Sequence, residues 1–349
     1  MGHPDGISFE PDWIVTLHDG FHSYLEVNPV FAATGVKTIG EAAAIIGSDG
    51  TTMLLAAPAW DETRLIQQAP CEVLACNDVP AALQSRVSGR LAVRGLDDVS
   101  VRFREALAHC DLVRIPTDTD RPKTIAELAA ARRASEIGEQ AYAELLAFLE
   151  PGIAEYEMVA QLDVDVRRRG ADDHFVLCSS SAAGDNVRAP TGRIIESGDV
   201  VNIEISPSVD GQFVQLCRTV VLGSASAQRR SDYELIIAAL REGMNAARPG
   251  VTVAEVVSAL DSPLFQAGLG EYCRPPHIRV RGHGQGLASL SPGDITFDNQ
   301  TTLLDGMMFT LHPNQRFPES GYMMCGEPIM VQTGGAVALT ARRPQLDEC

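Results

Sequence analysis

Hydrophobic and polar positions in residues 1–120 follow a strand-like pattern in some segments and a helical pattern in others, and the two kinds of segment alternate along the chain. Short apolar runs rich in branched residues predict strands, and the polar segments between them that carry apolar residues at helical spacing predict helices. The predicted elements are strands at 51–58, 71–76 and 111–115 and helices at 61–68 and 99–109. Strands that alternate with helices are typical of an α/β domain, so we predict one over residues 1–120.

The pattern after residue 120 indicates longer helices. Residues 117–124 are polar, contain a proline and end in a helix N-cap residue, which predicts a linker. Apolar residues at helical spacing then predict helices over 125–150, 155–169 and 231–247. We therefore predict a second domain over residues 121–349.

Residues 198–219 predict an antiparallel hairpin. Two runs rich in Val, Ile and Phe flank the pair Asp210-Gly211, which is typical of a tight turn. Glu204 ends the first run and Gln215 lies in the second, so the turn brings them toward one another across neighbouring strands.

Composition and charge limit the partners of the chain. The formal net charge of −18 disfavours binding to nucleic acid or to an anionic membrane, because the overall field repels phosphates. The sequence has no signal-peptide pattern and no apolar run of about 18 residues. The absence of both predicts a cytoplasmic protein, and the eight cysteines, which have no paired metal spacing, are predicted to be reduced and mostly structural.

Three motifs resemble those of one enzyme superfamily. They are Gly198-Asp199 with Arg218-Thr219, the Gly-His-Gly-Gln-Gly-Leu segment around His283, and residues 306–313, which end in His312-Pro313. In this order they are similar to the pita-bread enzymes, which include prolidase, aminopeptidase P, methionine aminopeptidase and creatinase. The resemblance implies an α/β (α+β) protein with a small N-terminal domain and a C-terminal pita-bread domain.

The resemblance also indicates where this chain departs from the metal-dependent members. Their ligand positions fall on Glu204, Gln215, His283, His312 and Gly326, with Glu327 one residue away from the last. One carboxylate cannot bridge and neutralise two divalent ions, so we predict neither a metal ion nor another cofactor, and not a standard two-metal peptidase. A single ion held by one carboxylate and two imidazoles is the alternative.

Other positions that matter in the resembling enzymes differ as well. Val187 stands where their proton-shuttling histidine lies, and Leu290 and Ser291 replace a His-Glu pair. Candidate substrate-binding residues are Gln215, Arg218, Arg188, Glu327 and His174, the last being the nearest spare histidine.

These observations predict a metal-independent, creatinase-like enzyme. It would cleave a C–N bond of a small polar nitrogen compound by hydrolysis or elimination, with His283 and His312 as acid and base and Glu204 orienting the substrate. We expect Glu204 to favour a protonated imidazole on the nearer ring and to leave the other ring neutral. The alternatives are a single-metal hydrolase of C–N or Xaa-Pro peptide bonds and a non-catalytic peptide-binding module. The resemblance further implies a homodimer whose N-terminal domain closes the pocket of its neighbour.

Overall fold

The computed structural model describes residues 10–20, 24, 27–117, 121–288 and 292–349. The chain divides into two compact units, Met1–Asp118 and Thr119–Cys349. Each unit combines helices with a mixed or antiparallel sheet, which confirms the predicted α/β class. None of the eight cysteines is in a disulfide.

The N-terminal unit is built on one six-stranded sheet in the order β4-β3-β2-β1-β5-β6. The strands are β1 (Trp13–His18), β2 (Ala42–Gly47), β3 (Thr52–Ala56), β4 (Glu72–Ala75), β5 (Arg90–Arg94) and β6 (Asp111–Arg114), and the helices are α1 (Pro29–Thr34), α2 (Glu62–Gln68), α3 (Val79–Gln84) and α4 (Val101–Ala106). Three pairs are parallel: β4 with β3, β1 with β5 and β5 with β6. The pairs β3 with β2 and β2 with β1 are antiparallel. All five elements predicted here are present, and no boundary differs by more than three residues.

Among its described residues the C-terminal unit has the α-helices α5 (Ile125–Phe148), α6 (Glu155–Arg168), α7 (Ala227–Ala246) and α8 (Val253–Gln266). Helix α5 begins where a capping box forms, because Thr124 accepts from the backbone N–H of Glu127 and the Glu127 carboxylate accepts from the backbone N–H of Thr124. Helix α5 and helix α6 bury their apolar faces against the central sheet. Within the ranges that the structure describes, no helix combines the length and apolarity that crossing a membrane requires.

The strands in the described part of this unit form three sheets. They are β7 (Asp173–Ser181), β8 (Val200–Val209), β9 (Gln212–Phe213), β10 (Leu216–Val221), β11 (Gly282–Gly284), β12 (Met308–Leu311), β13 (Gln315–Phe317), β14 (Gly321–Met323), β15 (Glu327–Met330), β16 (Val337–Ala338) and β17 (Asp347–Glu348). One sheet has the order β17-β10-β8-β7 with β9 beside β8, the second has the order β11-β12-β15-β16, and β13 pairs with β14.

The predicted hairpin is the centre of the first sheet. Asp210 and Gly211 form its turn with φ values of 47° and 72°, a left-handed conformation that suits this pair of residues. The register places Leu216 opposite Ile205, and the same register continues to the turn, where Phe213 lies opposite Ser208. Glu204 is therefore directly opposite Cys217 rather than Gln215, which lies diagonally from it.

Thr124→Ala should destabilise the C-terminal unit, because it removes the side-chain oxygen that caps α5. We expect a loss of about 1 kcal/mol in the free energy of unfolding, measured by urea denaturation. Thr124→Ser keeps the hydroxyl and should retain nearly all of the stability. An equal loss in the two variants would show that the cap contributes nothing.

Candidate active site

One face of the sheet formed by β7, β8 and β10 carries the centre of the site. Glu204 on β8 lies opposite Cys217 on β10 and Leu177 on β7. Side chains alternate along a strand, so Ile203 and Ile205 point to the other face, where they join the apolar core with α5 and α6. The sheet thus presents Glu204 on the face away from these two helices.

Glu204 has the electrostatic properties of an acid-base group. Its carboxylate is half-buried, and no described residue donates a hydrogen bond to it. Burial without compensation disfavours the charged form and raises the pKa of Glu204 to about 7. Burial and then the charge of Glu204 raise the pKa of Cys217, which lies directly opposite Glu204, and that of Tyr322, whose backbone oxygen accepts a hydrogen bond of 2.9 Å from Asn202 on the same face of β8.

His283 is held between a backbone carbonyl and Gln215. Its Nδ1 lies 3.0 Å from the carbonyl oxygen of Gly284, and its Nε2 lies 3.0 Å from the side-chain oxygen assigned to Gln215. A neutral imidazole has one N–H and can donate to one of these oxygens only. Burial lowers the pKa of His283 and keeps the ring neutral. We therefore orient the Gln215 amide so that its NH₂ group donates to Nε2 while Nδ1–H donates to Gly284.

His312 lies against His283 in an edge-to-face contact, with the ring centroids 5.4 Å apart. Burial, and then the neighbouring His283, lower the pKa of His312 to about 3. The expectation that Glu204 keeps one of the two rings protonated is wrong, because burial makes both imidazoles neutral and makes the carboxylate the group that titrates near pH 7.

The last position of the family pattern has no room for a carboxylate. The backbone of Gly326 pairs with that of Cys217 through two hydrogen bonds of 2.9 and 3.2 Å. A Cβ atom on Gly326 would lie 2.6 Å from the sulfur of Cys217 and 3.1 Å from the Cβ of His312. Real Cβ atoms do not approach other atoms so closely, so the glycine is required by its neighbours.

Glu327 does not take over as a ligand. It is fully buried and forms an ion pair with Arg218, with 2.6 Å between Nη2 and Oε1, and its other oxygen accepts from the hydroxyl of Thr340. Arg218 also donates to the backbone carbonyls of Cys217 and Gly326 at 2.9 and 2.7 Å. Both residues were predicted to bind substrate, but their contacts join β10 to the segment around β15.

The side chains at the inherited ligand positions do not fit a metal centre. They amount to one carboxylate, one amide already bonded to a histidine, a second imidazole and a glycine. In the described parts of the chain, no group of three or more His, Cys, Asp or Glu side chains is arranged to hold an ion.

Two further residues predicted to bind substrate lie elsewhere. His174 shares its side of β7 with the core residues Val176 and Cys178, opposite to the side of Glu204, and its Nε2 lies 2.6 Å from Asp163 of α6. Arg188 donates to both oxygens of the buried Glu155, at 2.8 and 3.0 Å. That contact anchors the segment after β7 to the start of α6, so the guanidinium of Arg188 has a structural role.

Sequence reasoning missed Cys217, which lies directly opposite Glu204, and Tyr322, whose backbone oxygen contacts Asn202 on the same face of β8. The register of the predicted hairpin was an available signal for Cys217, because it shares a face with Gln215. Val187 lies half-buried in the loop after β7. Leu290 and Ser291 lie outside the described residues, so the structure adds nothing about them.

Comparison with known proteins identifies the family. The model of Metallopeptidase family M24 matches residues 129–340, which is more than half of the chain. The chain belongs to this family. The predicted membership in the pita-bread superfamily is confirmed.

Among the relatives is the Xaa-Pro dipeptidase of Pyrococcus furiosus, which is 27% identical over 228 residues. The Xaa-Pro dipeptidase of Pyrococcus horikoshii is 25% identical over the same number of residues. Each match covers 64% of this chain and 64% of the relative, which is less than two thirds of that enzyme's length.

Solved structures share the fold over nearly the whole chain. The X-Pro aminopeptidase from Thermotoga maritima has a TM-score of 0.81 at 19% identity and covers 97% of this chain and 96% of its own. The Xaa-Pro dipeptidase from Bacillus anthracis has a TM-score of 0.80 at 21% identity, with coverage of 97% and 95%. At these identities the likeness shows the architecture alone.

The prediction of a metal-independent, creatinase-like enzyme is wrong. The matching family is one of metallopeptidases, and the relatives are named Xaa-Pro dipeptidases. Elimination has no support among them. The kinship agrees better with the alternative of a hydrolase that acts on a peptide bond.

Gly326→Ala should destabilise the protein, because the added methyl group meets the sulfur of Cys217 and the Cβ of His312. Overpacking of this kind costs roughly 1–3 kcal/mol, which thermal unfolding would detect as a lower Tm.

Two comparisons test whether the clash is the cause. Gly334→Ala is the matched control, because a Cβ there meets nothing within 4 Å. Adding Cys217→Ala to Gly326→Ala should restore part of the lost stability. Equal Tm values for the two single glycine variants would contradict the crowding argument.

Proposed function

We propose that this chain hydrolyses a peptide bond of short peptides, with Glu204 as the group that moves the proton. The observation that carries the proposal is the pKa of about 7 that burial gives this carboxylate in a member of a peptidase family. A group that titrates near the working pH can both accept a proton and return it. Xaa-Pro dipeptides are the first substrates to test, because the relatives are named for them.

The proposed reaction uses Glu204 twice. The ionised carboxylate takes a proton from water while the water oxygen attacks the carbonyl carbon of the peptide. The protonated carboxyl group then donates that proton to the leaving nitrogen as the C–N bond breaks. The products are a carboxylic acid, which keeps the second proton of the water until it ionises in solution, and a free amine, and Glu204 returns to its ionised form.

The neutral polar groups around Glu204 support this role. Gln215 lies diagonally from Glu204 in the hairpin register and holds His283. His312 packs on His283. Because both rings are uncharged, neither adds a charge that would lower the pKa of Glu204. We propose that Gln215 and His312 bind and orient the peptide group, and that His283, whose two ring nitrogens are already engaged, holds the Gln215 amide in place.

Glu204→Gln should lower kcat for an Xaa-Pro dipeptide by about 100-fold or more, the usual contribution of a positioned acid-base group. In the wild type, kcat/KM should fall as the pH falls below about 7, because the base is then protonated. Glu150→Gln, which changes an exposed glutamate, is the control and should leave the rate unchanged. Retention of normal turnover by Glu204→Gln would overturn the assignment.

The same variant should be more stable than the wild type at pH 8. The unfolded carboxyl group ionises near its ordinary pKa, whereas the folded one ionises near 7, so the wild type loses stability as the pH rises from about 4.5 to 7. Glu204→Gln removes this cost. Melting temperatures at pH 5 and pH 8 should show the variant gaining relative to the wild type only at the higher pH, which also proves that the inactive variant is folded.

We also propose that the chain forms a homodimer through its N-terminal unit. In addition to the family resemblance, two large apolar side chains of this unit are exposed, Trp60 by 74% and Ile66 by 57%. Light scattering at micromolar concentration should give twice the mass of 37.4 kDa. A monomer with full activity would contradict this proposal.

A further inference from the structure

Residues 340–349 pack against strands that carry the candidate active site. At the start of this segment, the hydroxyl of Thr340 donates to Glu327 at the beginning of β15, the carboxylate that pairs with Arg218. Near its end the segment forms β17, which begins at Asp347 and lies parallel to β10. The segment therefore joins β15 to β10, as the ion pair between Arg218 and Glu327 also does.

Asp347 is the centre of a second buried contact in this segment. Its Oδ2 accepts a hydrogen bond of 2.7 Å from the hydroxyl of Tyr142 on α5. Its Oδ1 accepts from Arg342 at 2.5 Å and from Gln345 at 2.8 Å. Tyr142 and Asp347 are both buried. Because a buried carboxylate is costly without donors and a counter-charge, these contacts fix Asp347 to Tyr142 and Arg342.

The ring of Tyr142 connects this contact to Arg218. The guanidinium carbon of Arg218 lies 5.9 Å from the ring centroid, and that of Arg342 lies 5.4 Å from it. Both distances are within the range of cation–π attraction. Since Asp347 fixes the hydroxyl of Tyr142, the ring is held in one orientation against Arg218.

Arg218 in turn contacts the backbone of residues around Glu204. Its Nη1 donates to the carbonyl oxygens of Cys217 and Gly326, at 2.9 and 2.7 Å. These two residues form the backbone bridge that brings Gly326 against the sulfur of Cys217 and the Cβ of His312. Cys217 lies directly opposite Glu204. A shift of Arg218 would therefore move two side chains of the site relative to the carboxylate.

We propose that Tyr142 and Asp347 are positioning residues of the active site. Through Arg218 they hold the bridge between Cys217 and Gly326 in place, although neither of them touches the substrate. The segment of residues 340–349 is thus a support of the reaction centre. The expected effect on turnover rests on the proposed peptidase function, whereas the expected effect on the position of Cys217 does not.

The kinetic test uses Tyr142→Phe, which removes the hydroxyl and keeps the ring, and Asp347→Ala, which removes the acceptor of that hydroxyl. Each variant should lower kcat for Ala-Pro by about 10- to 100-fold and change KM less, because small displacements of reacting groups have effects of this size. The double variant should lose no more than Asp347→Ala alone, since both changes break the same hydrogen bond.

Glu348→Ala is the matched control. It lies on the same strand as Asp347, and it removes an ion pair of 2.7 Å with Arg230 while leaving Asp347 in place. We expect normal kcat and KM from this variant. Loosening of β17 as such would lower the rate here as well.

Alkylation by iodoacetamide, followed by mass spectrometry, tests the position of the site without turnover. Cys217 and Cys178 are both 0% exposed, but Cys178 lies in the core on the other face of the sheet. Tyr142→Phe and Asp347→Ala should raise the alkylation rate of Cys217 by about 10-fold or more, because local opening of the bridge exposes the thiol. The rate at Cys178 should stay unchanged, and Glu348→Ala should change neither rate.

The outcomes separate this inference from the proposed reaction. Unchanged alkylation of Cys217 in both variants would overturn the inference, and so would an equal rise at Cys217 and Cys178, which indicates general loosening. Faster alkylation of Cys217 with normal kcat would also contradict the positioning role. If the wild type does not hydrolyse Ala-Pro but Cys217 alone becomes reactive in the two variants, the proposed reaction fails and the role of Tyr142 and Asp347 stands.

Discussion

Glu204 carries a carboxylate that the fold buries and to which none of the described residues donates a hydrogen bond. Its position on β8 follows from the hairpin: the residues on either side, Ile203 and Ile205, are required in the core, and strand alternation then directs Glu204 to the opposite face. The folded state desolvates this carboxylate, which disfavours its charged form and raises its pKa to about 7. A positively charged neighbour would remove this property, and the side chains of Gln215, His283 and His312 are uncharged.

The side chains around Glu204 hold one another in place through direct contacts. Gln215 holds His283, His312 packs on the same ring, and the sulfur of Cys217 occupies the space that a side chain at position 326 would need. Each of these contacts depends on another, so single replacements toward the usual ligand types would clash or break a hydrogen bond. The relation to metallopeptidases therefore describes the ancestry and the fold of this chain. The side chains at the inherited ligand positions describe the chemistry that is available to it.

Several contacts that looked functional in the sequence serve the architecture. The buried Glu155 receives two hydrogen bonds from Arg188, and Arg218 joins two parts of the unit through Glu327. These are ion pairs between residues far apart in sequence. Replacing one partner by an uncharged residue would leave the buried charge of the other uncompensated. Sequence motifs show that such charged residues are present, but they do not show which residue forms an ion pair with each of them in the folded chain.

The sequence by itself determined the elements and the family. Local periodicity predicted the long helices and the hairpin, and Asp210-Gly211 predicted its turn, because these features depend on neighbours within a few residues. Only the tertiary structure decided which groups meet and in what state of charge. The pKa of Glu204, the neutrality of His283 and His312 and the crowding at Gly326 all come from burial by segments up to about a hundred residues away. Desolvation is a property of the assembled fold, so it could not be derived from the order of residues along the chain.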